Sequence, residues 1–229
     1  MKSYVDWFEQ KGISVLPIPF DTKQPDLYFR MVNGLFLPGT DRGYDVKNDA
    51  FMHTLRIFIE LSKQKGEYFP IWGTCFGMEV LLDVIGGCPT LKHYPAEGYY
   101  PIRMTRDASH SRLIGSFPPS YLRHLEQTPS TLQNHEYGIA IKDMKKGFSV
   151  LATSLDEYGR EYVAIIESKK YPIYAVQFHP EVDAHSPFLD FLHSELQKNH
   201  HSCCQVPRLA TIFKSRKCIQ YEKGLCYYF

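Results

Sequence analysis

An α/β fold, with a mostly parallel central sheet flanked by helices and a smaller antiparallel strand portion, is what this chain of 229 residues predicts. Three observations carry that expectation. Over the first ~90 residues, short apolar runs alternate with helix-period patterns, the βαβα order that feeds a parallel sheet covered on both faces. The middle of the chain holds strand-like runs with no helix between them, which suits antiparallel pairing. The hydrophobic share of 44% is enough for a substantial core in a chain of this size.

The elements follow in order. Ser3-Tyr4-Val5-Asp6 has capping-box form and Gly12 is a helix stop, so a first helix is expected over 4–11. Residues 13–20 read as a strand whose pairing is confined by Pro17 and Pro19. Residues 34–37, Gly-Leu-Phe-Leu, are a short buried strand closed by the turn Pro38-Gly39. Phe51, Leu55, Phe58 and Ile59 share one face of a helix over 48–64. A strand is expected over 68–72, then a helix that Gly86-Gly87 ends. Residues 100–106, 148–153, 161–167 and 172–178 read as strands, and 187–198 as a helix with Phe188, Leu192 and Leu196 on one face. The last thirty residues, from His200, show no clear periodicity.

Charge is nearly balanced, at 26 basic against 25 acidic residues, which gives no electrostatic reason to expect nucleic acid or an anionic membrane as partner. No stretch approaches the ~20 apolar residues of a membrane span. The N-terminus has no continuous apolar core of a signal peptide, so the chain as written is expected in the cytoplasm. The six cysteines are Cys75, Cys88, Cys203, Cys204, Cys218 and Cys226, with no CxxC pair. Free thiols or one disulfide in the tail are the plain readings there. A zinc site with His200 and His201 is the less favoured one.

The stretch Pro-Ile-Trp-Gly-Thr-Cys-Phe-Gly-Met-Glu, residues 70–79, carries the chemistry. Strand, Gly-x-Cys-x-Gly, helix is a nucleophile elbow with Cys in place of Ser. The turn thrusts Cys75 out at the strand end, and Gly73 and Gly77 supply neighbours without bulk. The following helix points its positive end at the sulfur, which favours thiolate, and aims the Phe76 N–H at a developing oxyanion. A buried structural cysteine in an ordinary junction is the alternative. A candidate base stands in Gln-Phe-His-Pro-Glu, residues 177–181. If the backbone stays extended, His179 and Glu181 project the same way, and a carboxylate that orients the imidazole completes a thiol triad. A surface ion pair is the alternative.

Together, the elbow and the Gln-Phe-His-Pro-Glu block, about 100 residues apart, resemble the two hallmark blocks of the class I glutamine-amidotransferase-like superfamily. Within it the chain most resembles the γ-glutamyl hydrolases, folate-polyglutamate-cleaving cysteine peptidases. The likeness runs from about Ser3 to the C-terminus. It is carried by residues 68–81, by 171–181, by Gln-Asn-His-Glu-Tyr-Gly-Ile at 133–139 and by the terminal Cys-Tyr-Tyr-Phe. The resemblance implies a flavodoxin-like three-layer fold in a single domain, 1–229, with 200–229 as a C-terminal extension. It implies Cys75 as nucleophile, His179 as base and acid, Glu181 as its orienting partner, and Phe76 with Gly39 or Thr40 as oxyanion donors. It also implies His135 and Glu79 in the substrate pocket. Amidotransferases usually carry Gln four residues after the nucleophile, and Glu79 sides with the hydrolases. Glu79 could also be a first-turn acid favoured by the helix dipole.

Implied, then, is an omega peptidase of cysteine type. It hydrolyses γ-glutamyl bonds of folyl- and antifolate-poly-γ-glutamates through a thioester, with no metal or cofactor. It acts in the lysosome, vacuole or outside the cell, and can form a homodimer. A glutaminase subunit that delivers ammonia to a synthase is the alternative, and a poorly active paralogue a third. Two departures stand out: the chain begins at or just before the family's first helix, so the family's signal and first strand are absent, and Thr40 replaces the second Gly of Pro-Gly-Gly. Loss of that strand is expected to leave an edge or gap in the sheet.

Overall fold

The computed structural model describes residues 2–39, 49–64, 68–87, 91–183, 185–199, 207–213, 218–220 and 226–228. Thr40, Cys88, His200, His201, Cys203 and Cys204 lie outside them. In chain order the elements are α1 (Lys2–Glu9), β1 (Ser14–Pro19), α2 (Pro25–Arg30), β2 (Gly34–Leu37), α3 (Asp49–Gln64), β3 (Ile71–Thr74), α4 (Phe76–Gly86), β4 (Lys92–Tyr100) and β5 (Arg103–Met104). They continue with α5 (Pro119–Gln127), β6 (Thr131–Gly138), β7 (Phe148–Leu155), β8 (Glu161–Ser168), β9 (Ile173–Val176), α6 (Pro187–Gln197), β10 (Arg208–Phe213), β11 (Cys218–Gln220) and β12 (Cys226–Tyr228).

The main sheet has eight strands in the order β1-β10-β2-β3-β9-β8-β7-β5. The run from β1 to β9 is parallel, and β8, β7 and β5 join antiparallel. Strands buried on both faces alternate between two cores, as a covered parallel sheet requires. Leu35, Leu37, Ile71, Ile173 and Ala175 pack with Phe51, Leu55 and Phe58 of α3 and Leu81 and Leu82 of α4. Phe36, Trp72, Tyr174 and Val176 pack with Tyr4, Trp7 and Phe8 of α1 and Phe188, Leu192 and Leu196 of α6. Each fully buried large apolar side chain contributes about 1.5–3 kcal/mol by leaving water. The three-layer α/β expectation therefore holds.

Among the described strands, the parallel run from β1 to β9 is continuous. β10 lies between β1 and β2, parallel to both, pairing Leu209 with Val15 and Gly34, and Ala210 with Leu16 and Leu35. Its residues Leu209, Ala210, Thr211 and Ile212 are buried. The start of this segment is fixed by Asn33. Its Nδ2 donates to the Asn199 carbonyl at 3.0 Å, its Oδ1 accepts the Arg208 N–H at 2.8 Å, and Asn199 Nδ2 donates back to the Asn33 carbonyl at 2.9 Å. β1 is thereby an edge strand, where Pro17 and Pro19 are tolerated.

Several boundaries move. α1 starts at Lys2, so Ser3 lies inside the helix and does not cap it. The strand expected at 68–72 begins at Ile71, after Pro70, and the strand expected at 100–106 is reduced to Arg103–Met104. β4 and β6, which the sequence did not announce, form a separate antiparallel pair with a register shift between His93 and Ala96. Among the described residues no helix is long and apolar enough to cross a membrane.

Candidate active site

β3 delivers its chain directly into α4 through Cys75, whose φ of 52° and ψ of −114° make it the one non-glycine residue with positive φ among those described. Such a conformation costs on the order of 1–3 kcal/mol and persists only where surrounding structure fixes it. Here the Cys75 N–H donates to the Val176 carbonyl at 2.8 Å, and its own carbonyl accepts the Met78 and Glu79 N–H groups of the first helical turn. Gly77 makes the turn possible, because a Cβ there would stand 2.0 Å from the Leu37 carbonyl oxygen at the end of β2. The Phe76 N–H is hydrogen-bonded toward the Cys75 sulfur.

β9, the neighbour of β3, ends shortly before His179. The extended backbone expected for 179–181 gives way to a 3-10 turn over Pro180–Val182. The turn still joins the pair: His179 Nδ1 lies 2.8 Å from Glu181 Oε1, with both side chains largely buried. An ionised carboxylate can only accept, so the proton sits on Nδ1 and Nε2 is left as the basic nitrogen. The Tyr4 hydroxyl stands 3.1 Å from the same Nδ1 and accepts the Gly39 N–H at 3.2 Å. Gly39 is packed into the middle of the group. A Cβ on it would meet His179 Cε1 at 2.8 Å, the Tyr4 hydroxyl at 3.1 Å and Cys75 Cβ at 3.2 Å.

Burial sets the ionisation of the remaining groups. It pushes the Cys75 thiol up to about 12, and the negative charges of Glu79 and Glu181 add to this, while the Phe76 N–H and Gln177 oppose it. The helix dipole alone favours thiolate, but desolvation outweighs it, so the resting sulfur is a neutral thiol, contrary to the sequence expectation. Its S–H donates to the Asn134 carbonyl of β6 at 3.8 Å. Glu79, on the first turn of α4, is raised to about 7 by burial, although the Gln177 amide donates to its Oε1 at 3.3 Å. The same amide lies 4.0 Å from the sulfur. His135, on β6, is lowered to about 4 by burial, with His179 nearby as a further cause, so it is neutral. Its Nε2 faces Gln133 Oε1 at 3.2 Å and its ring packs edge-on against Tyr162.

Cys75, Phe76, Glu79, His179, Glu181 and Gly39 thus lie together in one cluster. His135 stands on the strand that roofs it. Tyr4, Gln177 and Asn134 belong to the same site and were not singled out from the sequence. Tyr4 lies on the apolar face of α1 and reads there as core. Gln177 had a signal: it is the one polar residue in an otherwise apolar run from Ile173 to Phe178. Asn134 acts through its backbone, which no side-chain pattern reveals. Among the described residues, no three His, Cys, Asp or Glu side chains converge as a metal site.

Three sets of relatives bear on this geometry. The family described as Glutamine amidotransferase class-I matches residues 4–196. The human protein named Gamma-glutamyl hydrolase is 32% identical over 258 residues, covering 99% of this chain and 76% of its own length. Gamma-glutamyl hydrolase B of Dictyostelium discoideum is 34% identical over 81% of this chain, and Gamma-glutamyl hydrolase 1 of Arabidopsis thaliana 30% over 80%. The chain spans only 57% and 55% of those two. A solved structure from Thermoplasma acidophilum, described as a GMP synthase protein, has a TM-score of 0.61 at 20% identity and covers 86% of both chains; it speaks for the fold alone.

Proposed function

Because the chain belongs to the γ-glutamyl hydrolases of the class I glutamine amidotransferase family, we propose that Cys75 is the nucleophile of a hydrolase acting on γ-linked glutamyl amides. The substrate class is the poly-γ-glutamyl tail of folates and antifolates. The observation that carries the reading is the strained Cys75 at the head of α4, packed through Gly39 against His179.

Since the resting thiol is neutral, proton transfer to His179 Nε2 accompanies attack of the sulfur on the γ-carbonyl carbon. Glu181 holds the Nδ1 tautomer and stabilises the imidazolium. The carbonyl oxygen becomes an oxyanion held by the Phe76 N–H and a second N–H from the loop after β2, that of Thr40 while the Gly39 N–H stays on the Tyr4 hydroxyl; one such donor is worth about 3 kcal/mol. As the tetrahedral adduct collapses, the C–N bond breaks. The leaving amine takes the proton from His179, and a thioester on Cys75 remains. Water then gives a proton to His179 and attacks the thioester. The glutamyl product leaves, and Cys75 recovers its proton. Glu79 and His135 line the substrate side, both largely uncharged between about pH 4 and 7, and a neutral Glu79 can donate to a substrate oxygen. Under this reading the chain works as one domain, as a monomer or homodimer, in a lysosomal, vacuolar or extracellular setting.

The test is hydrolysis of pteroyl-poly-γ-glutamate, and separately of glutamine, by wild type and by Cys75→Ala. Cleavage of the polyglutamate by wild type alone is the expected result. Turnover of glutamine alone, or of neither substrate, would overturn the reading.

A further inference from the structure

We propose that Tyr4 is a positioning residue that ties the two halves of this reaction centre together through one hydroxyl. The inference rests on the function proposed above and goes beyond its triad and oxyanion donors.

The phenol comes from α1, the first described helix, and is held rigidly. Tyr4 is only 5% exposed, and its ring packs on Phe36 of β2 with centroids 5.0 Å apart. Phe8 packs on the same Phe36 from the next turn, at 4.8 Å. The hydroxyl has one proton to give and two lone pairs to offer. It accepts from the Gly39 N–H at 3.2 Å. His179 Nδ1 lies 3.1 Å away but gives its proton chiefly to Glu181, at 2.8 Å. The hydroxyl therefore sits against the imidazole–carboxylate pair, close enough for the Glu181 charge to act on it. Burial and the charge of Glu181 keep the phenol protonated, so it remains a donor throughout the working range.

One oxygen thus touches the loop after β2, which supplies the second oxyanion donor, and the carboxylate–imidazole pair, which supplies the base. These parts belong to different strands of the sheet, β2 and β9. The distance between donor loop and base must hold to a fraction of an ångström for both to meet one tetrahedral centre. Tyr4 fixes that distance. Without the hydroxyl, the Gly39 N–H loses its acceptor and His179 Nδ1 loses its hydroxyl neighbour, while the ring packing stays.

The experiment compares wild type, Tyr4→Phe, Glu181→Gln and the double variant in two assays. The first is hydrolysis of pteroyl-poly-γ-glutamate, which needs both base and oxyanion donors. The second is alkylation of Cys75 by iodoacetamide, which needs the base but forms no oxyanion. For Tyr4→Phe, kcat falls by about 30-fold with little change in KM, and alkylation slows by only about fivefold, because the lost oxyanion alignment affects turnover alone. The melting temperature stays close to wild type. In alkylation, the double variant is no slower than Glu181→Gln, since Tyr4 and Glu181 both act on the base through the same His179 Nδ1. A kcat within about twofold of wild type, equal losses in the two assays, or multiplying losses in the double variant would each overturn the proposal. Should wild type cleave no polyglutamate, the hydrolase reading fails, while the alkylation series still decides the role of Tyr4.

Discussion

The Gln177 side-chain amide bridges Glu79 and the Cys75 sulfur, donating to Glu79 Oε1 at 3.3 Å and lying 4.0 Å from Sγ. Gln177 follows β9 and Glu79 sits on α4, so the bridge joins the strand that leads to His179 to the helix headed by Cys75. It also leaves a carboxyl group, buried and raised to about 7, beside the Cys75 thiol.

That carboxyl makes the protein pH-dependent. Glu79 in the fold is raised to about 7 from an ordinary value of 4.5. The folded state binds this proton more tightly than the unfolded chain, so the contribution is full below about pH 4.5 and is lost as pH rises through about 7. Glu79→Gln removes the titration. The variant is expected to melt with wild type at pH 4.5 and several degrees above it at pH 8, as a difference of about 1 kcal/mol moves Tm by 2–4 °C. Parallel melting curves at both pH values would contradict the assignment. In turnover, ionised Glu79 opposes negative charge on sulfur, so wild-type kcat/KM falls as pH passes 7, and Glu79→Gln loses that limb.

Glu181→Gln keeps the shape of the side chain but removes its charge. The amide can still offer its carbonyl oxygen to the Nδ1 proton, but the negative charge that stabilises the imidazolium is gone. A kcat loss of about 10²–10⁴-fold with nearly constant KM is expected from steady-state kinetics on the polyglutamate substrate. A loss in KM alone would mean that Glu181 binds substrate and does not orient His179.

Two glycines at opposite ends of α4 separate packing from backbone strain. Gly77→Ala would drive a methyl group to 2.0 Å from the Leu37 carbonyl, so β2 and α4 must part. The variant is expected to lose at least ~3 kcal/mol and to be recovered poorly in soluble form. Gly87, with φ of 66° and nothing within 4 Å of an added Cβ, carries in Gly87→Ala only the left-handed penalty of about 1–2 kcal/mol. Denaturant titration of both variants checks the order.

β10 should behave as core. Leu209→Ala removes a fully buried side chain from the α1 and α6 side of the sheet and is expected to cost about 2–5 kcal/mol. Asn33→Ala strands the Asn199 carbonyl and the Arg208 N–H and should cost about 1–3 kcal/mol. A change below ~0.5 kcal/mol in both, read from urea unfolding, would place β10 outside the cooperative fold.

Much of the site was legible because it is built from local turns. The elbow needs Gly at both sides of a nucleophile, and the pairing of His179 with Glu181 needs a spacing of two. The spacing survived even though the backbone there is a 3-10 turn and not a strand. β4 and β6 were less legible. Pro95 and Gly98 interrupt the alternation of β4, and β6 is polar because it faces the site, so neither has the apolar pattern of a buried strand.

The sequence alone determined the layering of the fold and the turn that carries Cys75, since both rest on residue spacing over one turn or one strand. Tertiary structure decided which segment fills the sheet between β1 and β2, which hydroxyl joins Gly39 to His179, and which groups are charged. Strand order, long-range hydrogen bonds and desolvation all depend on neighbours brought from elsewhere in the chain. Cys75 shows the division most plainly: its turn is local, but its neutral thiol follows from β6 and Glu79 closing around it.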